Sequence, residues 1–425
     1  MLGQLGQMTV NLADNIMVGK LGATSLAAIS FANAIYAIFF VLGMGISFAL
    51  PPLISEADGK GDKVSISRFF KHSLLVNTII GIVSLLAILA TIPLMDHMGQ
   101  DPDIIPLAKK YLLYAAWTMV PYMVFQALRC YSDGMSETKL PMIVIITGNI
   151  LNILLNYALI FGNWGMPALG IEGASLGSLI ARLFMVIMIT ILLFKWKNLW
   201  HYIAACDFKR YQMEIIRKIM KLGVPTSLQM FFEVSAFSGA SLITGMISEN
   251  AQAAHQISIN LASITFMICT GLGMAATIRV GNQLGLKDYQ KLRDAGNSSI
   301  LQVVLIMTFF AGLFILLRNV LPHIYIDDPV VISIASMLLI YAAIFQIPDG
   351  VQVTAQSALR GIQDVKAPTF ITFLSYWVIG LPVSYITAIY MGWGPAGVWI
   401  GLIVGLTISA LLLTLRFRKL SILLR

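Results

Sequence analysis

Long apolar runs alternate with short polar stretches along the chain, and the length of the runs sets the fold class. Several exceed the ~18 residues that a helix needs to cross a bilayer. The run 395–415 carries no charge at all. Spans are predicted near 1–19, 26–55, 73–95, 111–128, 141–162, 171–194, 222–248, 252–278, 298–317, 330–359, 367–391 and 395–415. The expected fold is an all-α integral membrane protein of twelve transmembrane helices, with little chain left for a soluble domain. The opening MLGQLGQMTVNLADNIMVG lacks the basic flank and small-residue cleavage site of a signal peptide, so it reads as a first span, short enough that its start is expected to be missing.

Three landmarks recur in one order. LGMGIS at 42–47 returns as LGMAAT at 272–277, ALRC at 127–130 as ALRG at 358–361, and TKLP at 138–141 as VKAP at 365–368. The shifts of 230, 231 and 227 residues imply a duplication. Six spans per copy preserve orientation, so the copies are predicted to be parallel repeats: two six-helix lobes facing each other across a central cleft. The boundaries expected are 1–194 for the first lobe, 195–221 for a linker and 222–425 for the second lobe. Within DFKRYQMEIIRKIMKLG, residues Ile215, Ile216, Ile219 and Met220 share a face beside Arg217, Lys218 and Lys221, which predicts a surface helix at the lipid headgroups.

Composition agrees with the pattern, and charge adds an orientation. The chain is 58% hydrophobic and 11% charged, far below the roughly 25% charged content of soluble domains; mean hydropathy is +0.83. A net charge of +8 could signal nucleic acid, but one alternating set of loops, with the C-terminus, holds 23 of the 28 Lys and Arg residues. The other set holds Lys20, Lys109, Lys110 and Arg318, and Arg182 lies inside a span. That asymmetry is the positive-inside pattern of a multi-pass inner-membrane protein with both termini cytoplasmic, so no nucleic-acid partner is expected. Cys130, Cys206 and Cys269 lack paired spacing, the five histidines form no metal motif, and no phosphate-binding loop occurs. Work against a gradient must draw on something other than a bound nucleotide.

Buried charge supplies the candidate chemistry. Glu233 follows Lys221 by 12 residues, roughly 18 Å along a helix and so near the midplane of a ~30 Å hydrocarbon core. Asp349 precedes Arg360 by 11 residues, at matching depth from the same side. Each acid costs about 2.5–3.5 kcal/mol at that depth on insertion scales, so each needs a compensating role. Ser235, Ser238, Ser241 and Ser248 are expected on the helix of Glu233, and Pro348 is expected to break the helix of Asp349. A broken helix with carboxylates makes a cation site, with Na⁺ as a candidate ligand of Glu233 and Asp349. Asp14, the one charge before Lys20, lies about 9 Å from the outer end of its span. Asn149, Asn152 and Asn156 share one face, which should point into the bundle, as ligands or as interhelical glue. Arg182 could pair with one of the acids or with a backbone carbonyl. Phe231, Phe232, Phe237, Tyr341 and Phe345 read first as packing, yet acids with aromatic faces would favour lipophilic cations.

NLADNIMVG, MFFEVSAFSG, AAHQIS, GNQLG at 281–285, PDGVQVTAQSALRG and KAP, in that order over nearly the whole chain, resemble the multidrug and toxic compound extrusion (MATE) family, in its bacterial NorM-type branch. The resemblance implies two six-helix lobes and export of cationic, often aromatic compounds in exchange for Na⁺ or H⁺. It implies that Asp14, Glu233 and Asp349 match the acids tied to cation and drug binding. Phe237, Gln256, Asp328, Asn152 and Asn156 are similar to cavity or ion-site positions of that branch. Asn156 departs from another branch, which carries Asp there, and this weakens an ion site in the first lobe.

Without the resemblance, the same mechanism follows. A carboxylate in a cavity of low polarity can hold a proton near neutral pH or, ionised, take Na⁺. If drug and ion compete for one charge, rocking of one lobe against the other turns an inward ion gradient into outward drug movement. The expected activity is therefore a secondary multidrug antiporter, not an enzyme. It needs no cofactor beyond Na⁺ or H⁺ and acts as a monomer among membrane lipids on cationic small molecules. A flippase for lipid-linked oligosaccharides is the related alternative, but its pyrophosphate cargo calls for a cationic cavity. A membrane-embedded enzyme fits less well, since DDP at 327–329 has no second acidic pair. A structural or receptor protein leaves the paired midplane acids without a use.

Overall fold

The computed structural model describes Asp14, residues 17–204, Cys206 and residues 210–424, apart from the side chains of Ala23, Lys197 and Asn198. Most of the predicted span 1–19, together with Lys209 and Arg425, lies outside the described residues. Every regular element among the described residues is helical. Helices α1 (Ala23–Ser47) and α2 (Leu50–Gly59) form the first long crossing. Then come α3 (Lys63–Thr91), α4 (Ile104–Trp117) with α5 (Met119–Gly134), α6 (Lys139–Phe161) and α7 (Ile171–Lys195). A short α8 (Lys197–Ala204) leads to α9 (Met213–Gly245), α10 (Glu249–Leu286), α11 (Tyr289–Leu317) and α12 (Pro329–Gly361). The chain closes with α13 (Lys366–Tyr390) and α14 (Gly394–Leu423). Nine of these crossings among the described residues are long and apolar enough to span a membrane on hydropathy alone. The α4–α5 pair, whose helices have 14 and 16 residues, and α9 make eleven among the described residues. Ahead of them, residues 17–19 are helical as well.

The chain divides into two compact units, 2–227 and 228–425, so the division falls inside α9, a few residues past the expected linker. In the first unit α3 packs on α5, α6 on α7, and α1 on α4. In the second, α12 lies along α10, α11 and α14. The duplication is visible in the turns. Gly61 (φ +67°) and Lys287 (φ +59°) both take the left-handed conformation, and each is followed by an aspartate that caps the next helix. Asp62 accepts from Ser65 N at 3.0 Å and Asp288 from Lys291 N at 3.0 Å. Ser136 and Gln363, each with φ +63°, close the corresponding later turns. In these, Glu137 N reaches Ser132 O and Asp364 N reaches Leu359 O, both at 3.0 Å.

Three local expectations are corrected. The stretch predicted as a separate surface helix is the opening of α9 itself. Ile219 is fully buried, and Gly223 lies so close to α1 that a Cβ would stand 3.0 Å from Ile46 Cα. A basic helix end beside a span reads as amphipathic in either arrangement, which is why periodicity misplaced it. Pro348 does not break α12, which continues from Pro329 to Gly361; one missing N–H is tolerated where neighbouring helices hold the turn. The irregular backbone lies instead in α13, which widens into π-helical turns over Leu374–Gly380 and Ile386–Tyr390. Ser248 lies beyond α9, where its hydroxyl caps α10 by accepting from Ala251 N at 3.1 Å.

Candidate functional site

In the unit 228–425, α9 contributes Glu233 and α12 contributes Asp349, with 9% and 4% of their surfaces exposed. Each lies within reach of the other's charge, and both act on the Tyr376 hydroxyl. Helical spacing explains the company that Asp349 keeps: Gln352 and Gln356, three and seven residues on, share its face. Gln352 reaches the Glu233 carboxylate, and its Nε2 donates to Gln356 Oε1 at 3.2 Å. Arg360, at the end of α12, adds a positive field at Glu233.

Polar atoms are left over in this unit. Glu233 Oε1, Asp349 Oδ1, Gln352 Oε1, the Tyr376 hydroxyl, the Ser375 hydroxyl and both amide atoms of Gln346 are buried without a protein hydrogen-bond partner. Buried polar groups are nearly always paired, since each unpaired one costs about 1–3 kcal/mol. The unpaired oxygens of Gln352 and Tyr376, next to two carboxylates, fit a small hard cation or protons. The predicted serines do not compete for them: Ser235 Oγ donates to Phe231 O at 2.6 Å and Ser238 Oγ to Val234 O at 3.1 Å, both back onto α9.

Among the aromatic residues, Phe237 is partly buried and packs edge-on to Phe345, with centroids 6.0 Å apart; its ring also lies 6.0 Å from Tyr376. Phe345 is itself sealed, at 2% exposure, against Trp399. Tyr341 borders the same apolar cluster. Phe237 and Tyr341 therefore line its margin, and Phe345 supports them. Gln256 and Asp328 make their side-chain hydrogen bonds away from the carboxylates. Gln256 is exposed on α10 and donates to Asn260 Oδ1 at 3.1 Å. Asp328 is exposed at the start of α12, 21 residues and so roughly 31 Å of helix from Asp349. Its Oδ1 accepts from Val330 N at 2.8 Å and Val331 N at 3.2 Å, which makes it the helix cap in front of Pro329. Asp328→Ala is expected to lower stability by about 1 kcal/mol and to leave transport intact, read from thermal melting alongside an efflux assay.

In the unit 2–227, Asp14 meets the amide row of α6. Asn156 Nδ2 donates to Asp14 Oδ1 at 2.7 Å and lies 3.4 Å from Asn152 Oδ1, and Asn152 Nδ2 donates to Ser178 Oγ at 3.2 Å. Asn149, Asn152 and Asn156 are all buried, as their shared face predicted. Gly177 is required beside them, because any Cβ there would collide with Asn156 Oδ1. Arg182 belongs to this cluster and not to Glu233 or Asp349. Its Nη1 donates to the Tyr36 hydroxyl and to Thr118 Oγ1 at 2.6 Å, its guanidinium lies 4.8 Å from the Tyr122 ring centroid, and its charge acts on Asp14. Each acid site thus has a guanidinium acting on it, Arg182 on Asp14 and Arg360 on Glu233, and the site with two carboxylates keeps the larger excess of negative charge.

Sequence reasoning missed Ser375 and Tyr376, set in the apolar run LSYWVIG, and also the tyrosines around Arg182. It missed Gln352 and Gln356 as well, although their three- and seven-residue spacing from Asp349 carried the signal.

The MatE family model matches residues 1–158 and 225–386, one stretch in each half. The chain is similar to a probable multidrug resistance protein NorM of Rhizobium meliloti, 33% identical over 98% of this chain and 90% of that protein. A probable multidrug resistance protein NorM of Mannheimia succiniciproducens is 34% identical over 99% and 92% of the respective chains. In fold it resembles a solved multidrug resistance MATE family transporter in an outward-facing conformation, with a TM-score of 0.92 and 22% identity, covering all of this chain and 94% of that one.

Proposed function

The chain belongs to the MatE family, and from that premise we propose that it is a multi-pass multidrug efflux antiporter that exchanges lipophilic cations for Na⁺ or H⁺. The observation that carries the reading is the buried pair Glu233 and Asp349 with unpartnered oxygens around it. In water these carboxylates would be solvated for free; in this interior, either a proton or a metal cation must compensate them. A cationic drug that brings its own positive charge does the same work, so ion and drug exclude one another, and alternating exposure couples their movements. Phe237 and Tyr341 would give an aromatic cation its flat contact. Asp14 with Asn152 and Asn156 would form a second, weaker polar station, its charge offset by Arg182.

The reading includes a cell-membrane location with both termini on the cytoplasmic side, supported by the 23 basic residues of one loop set. It assigns no catalytic step and no organic cofactor, and it takes the monomer as the working unit. A pyrophosphate-bearing lipid would meet two carboxylates at this site, which disfavours the flippase alternative. Purified protein in liposomes loaded with a fluorescent aromatic cation provides the test. Transport is expected under an imposed Na⁺ gradient or under a pH gradient, and transport under neither would refute the proposal.

A further inference from the structure

A cavity of about 200 Å³ opens between α3, α5 and α7 beneath the short helix α8. Leu74 of α3, Val124 and Leu128 of α5, Leu193 of α7, and Trp200 and Ile203 of α8 wall it. Its lining is almost wholly apolar, and Thr190 turns its hydroxyl proton back onto its own helix, to Val186 O at 2.7 Å. Pockets for drug-sized ligands run to about 300–1,000 Å³ and place several polar groups to orient the guest. This one is smaller and almost wholly apolar, which suits a stretch of hydrocarbon chain.

The rim has a charge of one sign. Lys195 is exposed in the last turn of α7, two residues beyond Leu193. Residues 183–204 contain no aspartate or glutamate. On α5 the nearby Asp133 is ion-paired with Arg129 at 3.4 Å. Trp196 is exposed at the same level, and Trp200 stacks edge-on to Phe194 with centroids 5.0 Å apart, as expected of aromatic residues at a membrane–water boundary. Helix α8 is tied down beside the cavity, with Ser67 Oγ donating to Tyr202 O at 2.7 Å and the Tyr131 hydroxyl donating to Leu199 O at 2.8 Å. It therefore forms a fixed roof.

We propose that this cavity is a binding site for one anionic phospholipid, with an acyl chain under α8 and its phosphate against Lys195. A lipid held there packs α8 against α3, α5 and α7 within the same unit. The site is independent of the transport reading and would stand if that reading failed.

The test is native mass spectrometry of the purified protein with phosphatidylglycerol and, separately, phosphatidylcholine of the same chains. The protein is expected to retain phosphatidylglycerol preferentially. Lys195→Glu should cut that retention roughly fivefold or more, the worth of one interfacial lysine toward an anionic lipid, and leave phosphatidylcholine unchanged. Thr190→Trp, which fills the cavity from its rim, should reduce retention of both lipids, with melting curves to confirm that the variant is folded. Quenching of tryptophan fluorescence by brominated phosphatidylglycerol should fall in Trp200→Phe. Equal retention of the two lipids by the unmodified protein overturns the proposal. So does retention that Lys195→Glu leaves unchanged, or quenching indifferent to Trp200.

Discussion

Glu233→Gln is expected to abolish ion-coupled drug export while the protein still folds and reaches the membrane. The substitution keeps the volume and the hydrogen-bonding reach toward Gln352 and removes only the capacity for charge. A neutral amide is cheaper to bury than a carboxylate, and Asp349 loses its like-charged neighbour, so melting temperature should hold or rise. Export has no such compensation, because exchange needs a group that is neutralised alternately by ion and by drug. Asp349→Asn should behave the same way. Because the two carboxylates lie within each other's field, the double variant should be no worse than either single one, the non-additivity expected of groups that act as a unit. Dye accumulation in whole cells, with membrane abundance measured in parallel, reads all three variants. Normal efflux in Glu233→Gln would remove the carboxylate pair from the mechanism, and losses that add in the double variant would separate the two sites.

The acids Glu233 and Asp349 were legible because a charge inside an apolar run has few uses, and hydropathy alone gives depth. The same logic placed the row Asn149, Asn152 and Asn156 indoors, where all three are buried. It failed where one residue type serves two purposes. Asp328 stands directly before Pro329, the pattern of a helix cap, and its carboxylate does cap α12, a role that the sequence reading passed over beside the cavity position that the resemblance implied. The basic start of α9 failed for a related reason: a charged helix end and a surface helix have the same periodicity, and only the contact of Gly223 with Ile46 distinguishes them. Tyr376 was hidden for the opposite reason, because a tyrosine in an apolar run is normally packing, and nothing short of coordinates shows that its hydroxyl is buried beside two acids. The π-helical widening of α13 leaves no compositional trace beyond Gly380 and Pro382.

That widened helix is held by glycines, and Gly401→Val is expected to cost the fold of the unit 228–425. On α14, Gly397, Gly401 and Gly405 recur every four residues and let the backbone of α13 approach closely. A Cβ on Gly397 would stand 2.5 Å from Ala388 N, and one on Gly405 would stand 2.8 Å from Ser375 O. At Gly401 it would strike the Ser384 side chain and lie 2.6 Å from Gly380 O. Ordinary overpacking costs about 1–3 kcal/mol because side chains can shift, but here the obstacle is mainly backbone, so the loss should reach the top of that range or pass it. Gly312→Ala on α11 is the matched control: nothing lies within 4 Å of that Cβ, and Ala in a helix interior gains up to about 1 kcal/mol over Gly. Size-exclusion profiles and melting curves should show Gly401→Val aggregated or strongly destabilised and Gly312→Ala unchanged or firmer. Gly405→Ala connects packing to transport, since it presses on the Ser375 carbonyl in the turn that sets Tyr376 beside Glu233 and Asp349. If it folds, its export should fall with little loss of protein, whereas full export would mean that the α13 turn can move without disturbing the carboxylates.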